Sequence, residues 1–185
     1  MLLGRIAIAL LILFELLNLA GILKFTLDFS WLGLLVTSVG SLIVIEALAL
    51  SPLPYFLAAI GLWLDALGDV AHIYGRFDWY DQFMHLAGGG IVMAASLSLL
   101  KKHGQKYALP LILTIFLALG FVALFGDFYE IEEYLEDRLY HGRQVRLGGG
   151  PDTADDLLFN LVGGVAVGLV YLFSKKIWSR RSDSN

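Results

Sequence analysis

The sequence predicts an all-α fold, a polytopic membrane helix bundle of about six transmembrane helices forming one membrane domain over residues 1–185. Three observations lead there. Hydrophobic residues make up 58% of the chain and charged residues only 16%, against roughly 45–50% and about 25% in an ordinary soluble domain, and the mean hydropathy is +0.73. Six stretches each approach the ~20 apolar residues needed to cross a bilayer core. The alternating pattern of a β-barrel is missing, so helices are what can satisfy the backbone in lipid. Together these exclude a soluble enzyme, a nucleic-acid binder and a disordered chain. Six spans would use roughly 120 residues, which leaves only loops and two short ends.

The spans read, in order, as residues 5–23, 29–50, 54–74, 79–100, 108–127 and 155–173. The first has Arg5 before an apolar run, as a signal peptide would. Glu15 and Asn18 interrupt that run and no small-x-small cleavage site follows, so it is expected to stay as a helix. The second holds Glu46 near its inner end, away from the other acids. The third carries Asp65, Asp69 and His72 at steps of four and three, on one helical stripe. The fourth opens with Asp81 and His85, four apart and on one face. Between these two, Arg76, Asp78, Trp79 and Tyr80 form a short loop whose aromatics suit an interface belt.

The fifth span is expected to continue as an amphipathic acidic helix over about 128–140. Phe128, Ile131, Leu135 and Leu139 mark its apolar side, and Asp127, Glu130, Tyr134 and Asp137 mark a polar stripe. Such a stripe is commonly just solvated. Asp127 and Glu130 stand nearest the membrane, with Glu133 a weaker third. A loop with three glycines and a proline follows, in which Arg143 and Arg146 suit a phosphate or carboxylate. Asp152 or Thr153 reads as the N-cap of the sixth span, with acids favoured in its first turn. Capping does not account for Asp156 and Asn160, four apart and pointing into the span. Gly164 and Gly168 extend that face as a small-xxx-small contact that would also serve a homo-oligomer.

Charge placement sets the expected direction. With both termini cytoplasmic, Arg5, Lys101, Lys102, Lys106, Lys175, Lys176, Arg180 and Arg181 lie inside, against Lys24, Arg76, Arg138, Arg143 and Arg146 outside. The protein is thereby expected as a multi-pass cell-membrane protein with membrane lipids as its surroundings. In this orientation the acids and histidines of four separate segments reach the outer side. Ionisable groups in spans cost about 2.5–3.5 kcal/mol each, so they are expected to face protein or water.

Carboxylates and imidazole presented together suit a divalent cation such as Zn, Mn, Fe or Mg, or acid–base work. Asp69, His72, Asp81, His85, Asp127, Glu130 and Asp156 are the candidate ligands. Asp81, His85, Glu130 and Asp156 are the candidate catalytic groups, and Arg143, Arg146 and Asn160 the candidate substrate contacts. The plainer alternative is a set of hydrogen bonds that lock helices together. Cysteine is absent, so disulfides and thiolate ligands are excluded.

The run Tyr80-Asp-Gln-Phe-Met-His-Leu-Ala-Gly-Gly89, the glutamates Glu130 and Glu133, and Asp152-Thr-Ala-Asp-Asp-Leu-Leu-Phe-Asn160 with Gly163 and Gly164 resemble the YjdF-like family of integral membrane proteins. The order of Asp–His, acid, arginine loop and Asp…Asn…Gly is also similar to VanZ-like membrane proteins, which are linked to glycopeptide tolerance. That pattern has Glu then Gln where this chain has Glu130 and Glu133. Neither resemblance implies a reaction. Signatures of lipid phosphatases, CDP-alcohol phosphotransferases, zincins and Gly-x-Ser-x-Gly hydrolases are missing.

The reading that follows is an integral membrane protein with a His/Asp/Glu site at the outer interface, acting as a metal-dependent enzyme on a lipid or lipid-linked phosphate. Without a visible Ser or Cys nucleophile, a metal-activated water would be needed. A structural scaffold is one alternative. A proton or cation transporter is the other, weakened because only Glu46 is acidic in the inner half and no inverted repeat is evident.

Overall fold

A computed structural model describes residues 2–25, 51–77, 79–104, 109–139 and 150–182. These form five helices: α1 (Leu2–Phe25), α2 (Pro52–Val70), α3 (Trp79–Gly104), α4 (Leu111–Leu139) and α5 (Gly150–Ser182). No strand occurs among the described residues. The expected second span, with Glu46, lies outside them, as does the loop bearing Arg143 and Arg146. The side chains of Glu15, Asn18, Asp69 and Asp137 are likewise outside what is described.

Local signals set the helix ends. Ser51 and Pro52 open α2 as cap and first helical residue. Thr114 N–H and Oγ1 both donate to the Pro110 carbonyl, at 3.0 and 3.2 Å, and so start α4. Asp81 and Asp152 lie in the first turns of α3 and α5, where the helix dipole favours an acid. Among the described residues, three segments are long and apolar enough to cross a membrane: Trp79–Lys102, Leu111–Leu135 and Gly150–Ser174. The apolar stretches of α1 and α2 are shorter, at Leu2–Phe14 and Pro52–Gly68. With 29 and 33 residues, α4 and α5 reach about 44 and 50 Å, longer than a ~30 Å hydrocarbon core.

The bundle has two packing centres. Met93, Leu97, Ile115, Ala118 and Val122 form the apolar core between α3, α4 and α5. Ala7, Leu11 and Ala59 join α1 to α2, reinforced by Trp63 Nε1 donating to the Leu10 carbonyl at 3.0 Å and by the Phe14 ring edge-on to Trp63. The closest approach is between α3 and α5. A side chain on Gly89 would overlap the Asn160 backbone, and one on Gly163 would overlap the Leu86 carbonyl. Gly164 rests against Val122 and Leu119, and Gly168 against Met93. The small-residue face of α5 is therefore filled from within the chain. Outside, Ile112, Phe116, Val165, Val170 and Phe173 are exposed, as expected of a surface facing lipid.

Several expected boundaries move. The helix placed over 54–74 ends at Val70. Ala71 N–H bonds the Leu67 carbonyl and Ile73 N–H the Gly68 carbonyl, while His72 takes a φ of 54°. This is a left-handed helix stop with histidine where glycine is usual. The span placed over 155–173 starts earlier, at Gly150, so Asp152 is inside the first turn rather than capping it. The fifth span and the acidic segment after it are one uninterrupted helix, α4.

Candidate metal centre

The site grows from three helix ends brought to one side. α3 begins there, α4 finishes there and α5 begins there. Glycines make the approach close enough: Gly89 on α3 meets the backbone of Asn160, and a methyl on Gly126 of α4 would stand 3.1 Å from Asn160 Nδ2. With no side chain at either position, three helices share one small volume. Asp81 and His85 enter it from α3, Glu130 and Glu133 from α4, and Asp156 and Asn160 from α5.

His85 is the centre of the set. Its Nε2 lies 3.6 Å from Asp81 Oδ1, 3.6 Å from Asp156 Oδ1 and 4.0 Å from Glu130 Oε1. These separations exceed the 2.7–3.2 Å of an N–H···O hydrogen bond. They approach the spacing of ligands around one ion, because bonds of 2.0–2.2 Å in a tetrahedron put neighbouring ligand atoms about 3.3–3.6 Å apart. Asp156 is 2% exposed, His85 6% and Glu130 8%. Glu130 Oε1 and Asp156 Oδ1 are buried without a hydrogen-bond partner. A buried carboxylate oxygen left without a donor costs about 1–3 kcal/mol, so the arrangement calls for a cation or a proton.

The far side of the imidazole is held. Asn160 Nδ2 lies 3.2 Å from His85 Nδ1. An amide donating there leaves the proton on Nε2. The amide turned over accepts from Nδ1–H and leaves the Nε2 lone pair facing the carboxylates, the state a metal needs. The Tyr129 ring stands edge-on to the imidazole at 5.5 Å. Asn160, expected from sequence as a substrate contact, is thus engaged with His85.

Among the described residues, two sets of three possible ligands result, Asp81–His85–Asp156 and His85–Glu130–Glu133, each with its atoms within 4.8 Å of one another. Glu133 was only a weak candidate from sequence. Asp127, a stronger one, is exposed. The register of α4 explains the exchange: Val122 packs on Gly164 and Gly126 on Asn160, so the line through 122, 126, 130 and 133 faces inward and Asp127 sits about 100° away. His72 also stays out of both sets. It is exposed, turned away by the left-handed stop after α2.

Asp65 belongs to a separate network. Tyr74 Oη donates to Asp65 Oδ1 at 2.7 Å. Tyr80 Oη donates to the Leu64 carbonyl at 2.7 Å, and the two tyrosine rings meet edge-on at 5.1 Å over Gly68. Trp79 and Phe83 extend this aromatic group along the start of α3.

A family described as predicted membrane protein, DUF2238, matches residues 3–176, and the chain belongs to it. No curated protein and no solved structure matches the chain.

Proposed function

We propose that this member of the DUF2238 membrane family binds a divalent metal ion through His85, Asp81, Asp156 and Glu130. The observation that carries this reading is the pair of buried, partnerless oxygens, Glu130 Oε1 and Asp156 Oδ1, facing one imidazole nitrogen. A scaffold that merely locked helices would gain nothing from leaving them bare, since each costs about 1–3 kcal/mol or more.

Held there, a divalent metal would supply an activated water for hydrolysis of a phosphate ester of a lipid or lipid-linked substrate. Three features support this class. The site lies at the ends of membrane-crossing segments, level with an aromatic group of Trp79, Tyr80 and Phe83. Asp81 is the most open ligand, with its side chain 34% exposed, giving access from one side. Arg143 and Arg146 fall between α4 and α5 in the sequence, and their residue type suits a phosphate. The positive-inside distribution supports an orientation with this end at the outer face of the cell membrane and both termini cytoplasmic. The YjdF-like and VanZ-like resemblances run through the same residues.

Elemental analysis of the protein in mild detergent, beside His85→Ala, tests the metal. The expected result is a near-stoichiometric divalent metal, with Mg added if purification strips it, lost in a variant that still melts cooperatively. No metal under either condition, with a large fall in melting temperature for His85→Ala, would overturn the reading in favour of a structural cluster. Metal-dependent phosphate release from phosphatidic acid in mixed micelles is expected of the hydrolase. Its absence from metal-loaded protein would remove that substrate.

A further inference from the structure

We infer that the site seats two divalent cations side by side. One ion is held by His85, Asp81 and Asp156, and the second by Glu130 and Glu133. This rests on the metal-binding reading above and deepens it.

The two overlapping ligand sets have only His85 in common. A histidine can serve both sets at once only by using both ring nitrogens. Nδ1 is occupied by the Asn160 side chain, so one nitrogen remains. Nε2 is nearer Asp81 and Asp156, at 3.6 Å each, than Glu130, at 4.0 Å. The imidazole therefore goes with the two aspartates, and an ion between the glutamates is held by carboxylates alone.

Each set also has its own bare oxygen, Asp156 Oδ1 in the first and Glu130 Oε1 in the second. A single ion can reach both oxygens, but a second one seated at Glu130 also engages Glu133, which the first set leaves out. Charge points the same way. Four carboxylates converge here, and among the described residues the basic group they meet is His85. A second divalent cation offsets more of that excess of acids than one can. Paired ions about 3.5–4 Å apart would suit phosphate-ester hydrolysis, one stabilising the attacking and the other the leaving oxygen. Oxygen ligands favour Mg or Mn in the glutamate seat.

The full chain in detergent, stripped with EDTA and titrated with MnCl2, tests this. Two ions per chain are expected, with a broadened, spin-coupled electron paramagnetic resonance signal. Glu133→Gln, at a partly exposed position and confirmed to melt like the unmodified protein, is expected to bind one ion with a resolved six-line signal. One ion per chain in the unmodified protein, or the same signal with and without Glu133→Gln, overturns the paired site and leaves the single-metal reading standing. No bound manganese, and none with MgCl2 or ZnCl2 in its place, overturns both.

Discussion

Asp65 and Asp156 are both aspartates set into apolar helices, and they differ in what their oxygens meet. Asp65 Oδ1 accepts a short hydrogen bond from Tyr74, whose ring folds back over Gly68 after the helix stop at His72. The network closes among α2, the turn behind it and Tyr80 at the start of α3. Asp156 Oδ1 lies deeper, meets no donor and points at the same imidazole nitrogen as Glu130 and Asp81. A polar group that closes on its neighbours holds a fold together. One that stays open while three helices bring acids to it is arranged for something that arrives from outside.

The contrast can be broken or sharpened by substitution. The largest effect is expected from Gly89→Leu, which drives a side chain into the Asn160 backbone and parts α3 from α5. Overpacking of this kind costs 1–3 kcal/mol or more, and here both fold and metal site should fail, read as loss of a monodisperse peak on size exclusion. Gly120→Ala is the control: nothing lies within 4 Å, and the variant should melt at or slightly above the unmodified protein. Next comes Asn160→Ala, which frees the imidazole to turn. Loss of such an outer partner typically weakens metal binding 10–100-fold, measurable by isothermal titration with MnCl2. Tyr74→Phe strands an Asp65 oxygen and should cost about 1–2 kcal/mol, with manganese affinity unchanged. Asp127→Asn, on the exposed side of α4, should move neither quantity, stability staying within about 0.5 kcal/mol. An Asp127→Asn variant that lost metal would place the inward face of α4 wrongly.

The all-helical membrane architecture was legible from hydropathy and length alone, because segments near twenty apolar residues have few other folds available. The convergence of Asp81, His85, Glu130 and Asp156 was legible too, since alternating helix direction sends the starts of two spans and the end of another to one side. Register was not. Asp127 and Glu130 are equally acidic and three residues apart, and only the fit of Gly126 against Asn160 decides which turns inward. Glu133 was undervalued for the same reason. His72 was misplaced because spacing assumes that the helix goes on, whereas backbone bonds at Leu67 and Gly68 stop it two residues earlier. The pairing of Asn160 with His85 is a contact across 75 positions, beyond the reach of local pattern.

The central claim is that Asp156 is open for a cation and Asp65 is not. Thermal melts of the unmodified protein, Asp156→Asn and Tyr74→Phe, each with EDTA and then with excess MnCl2, test it directly. A ligand at 100 times its Kd adds about 2.7 kcal/mol to stability, and a protein of this size shifts about 2–4 °C per kcal/mol. The account predicts that manganese raises the melting temperature of the unmodified protein and of Tyr74→Phe by the same amount, the latter from a lower start. Asp156→Asn should melt at or above the unmodified protein in EDTA and gain nothing from manganese. A full manganese shift in Asp156→Asn, or none in the unmodified protein, would contradict it.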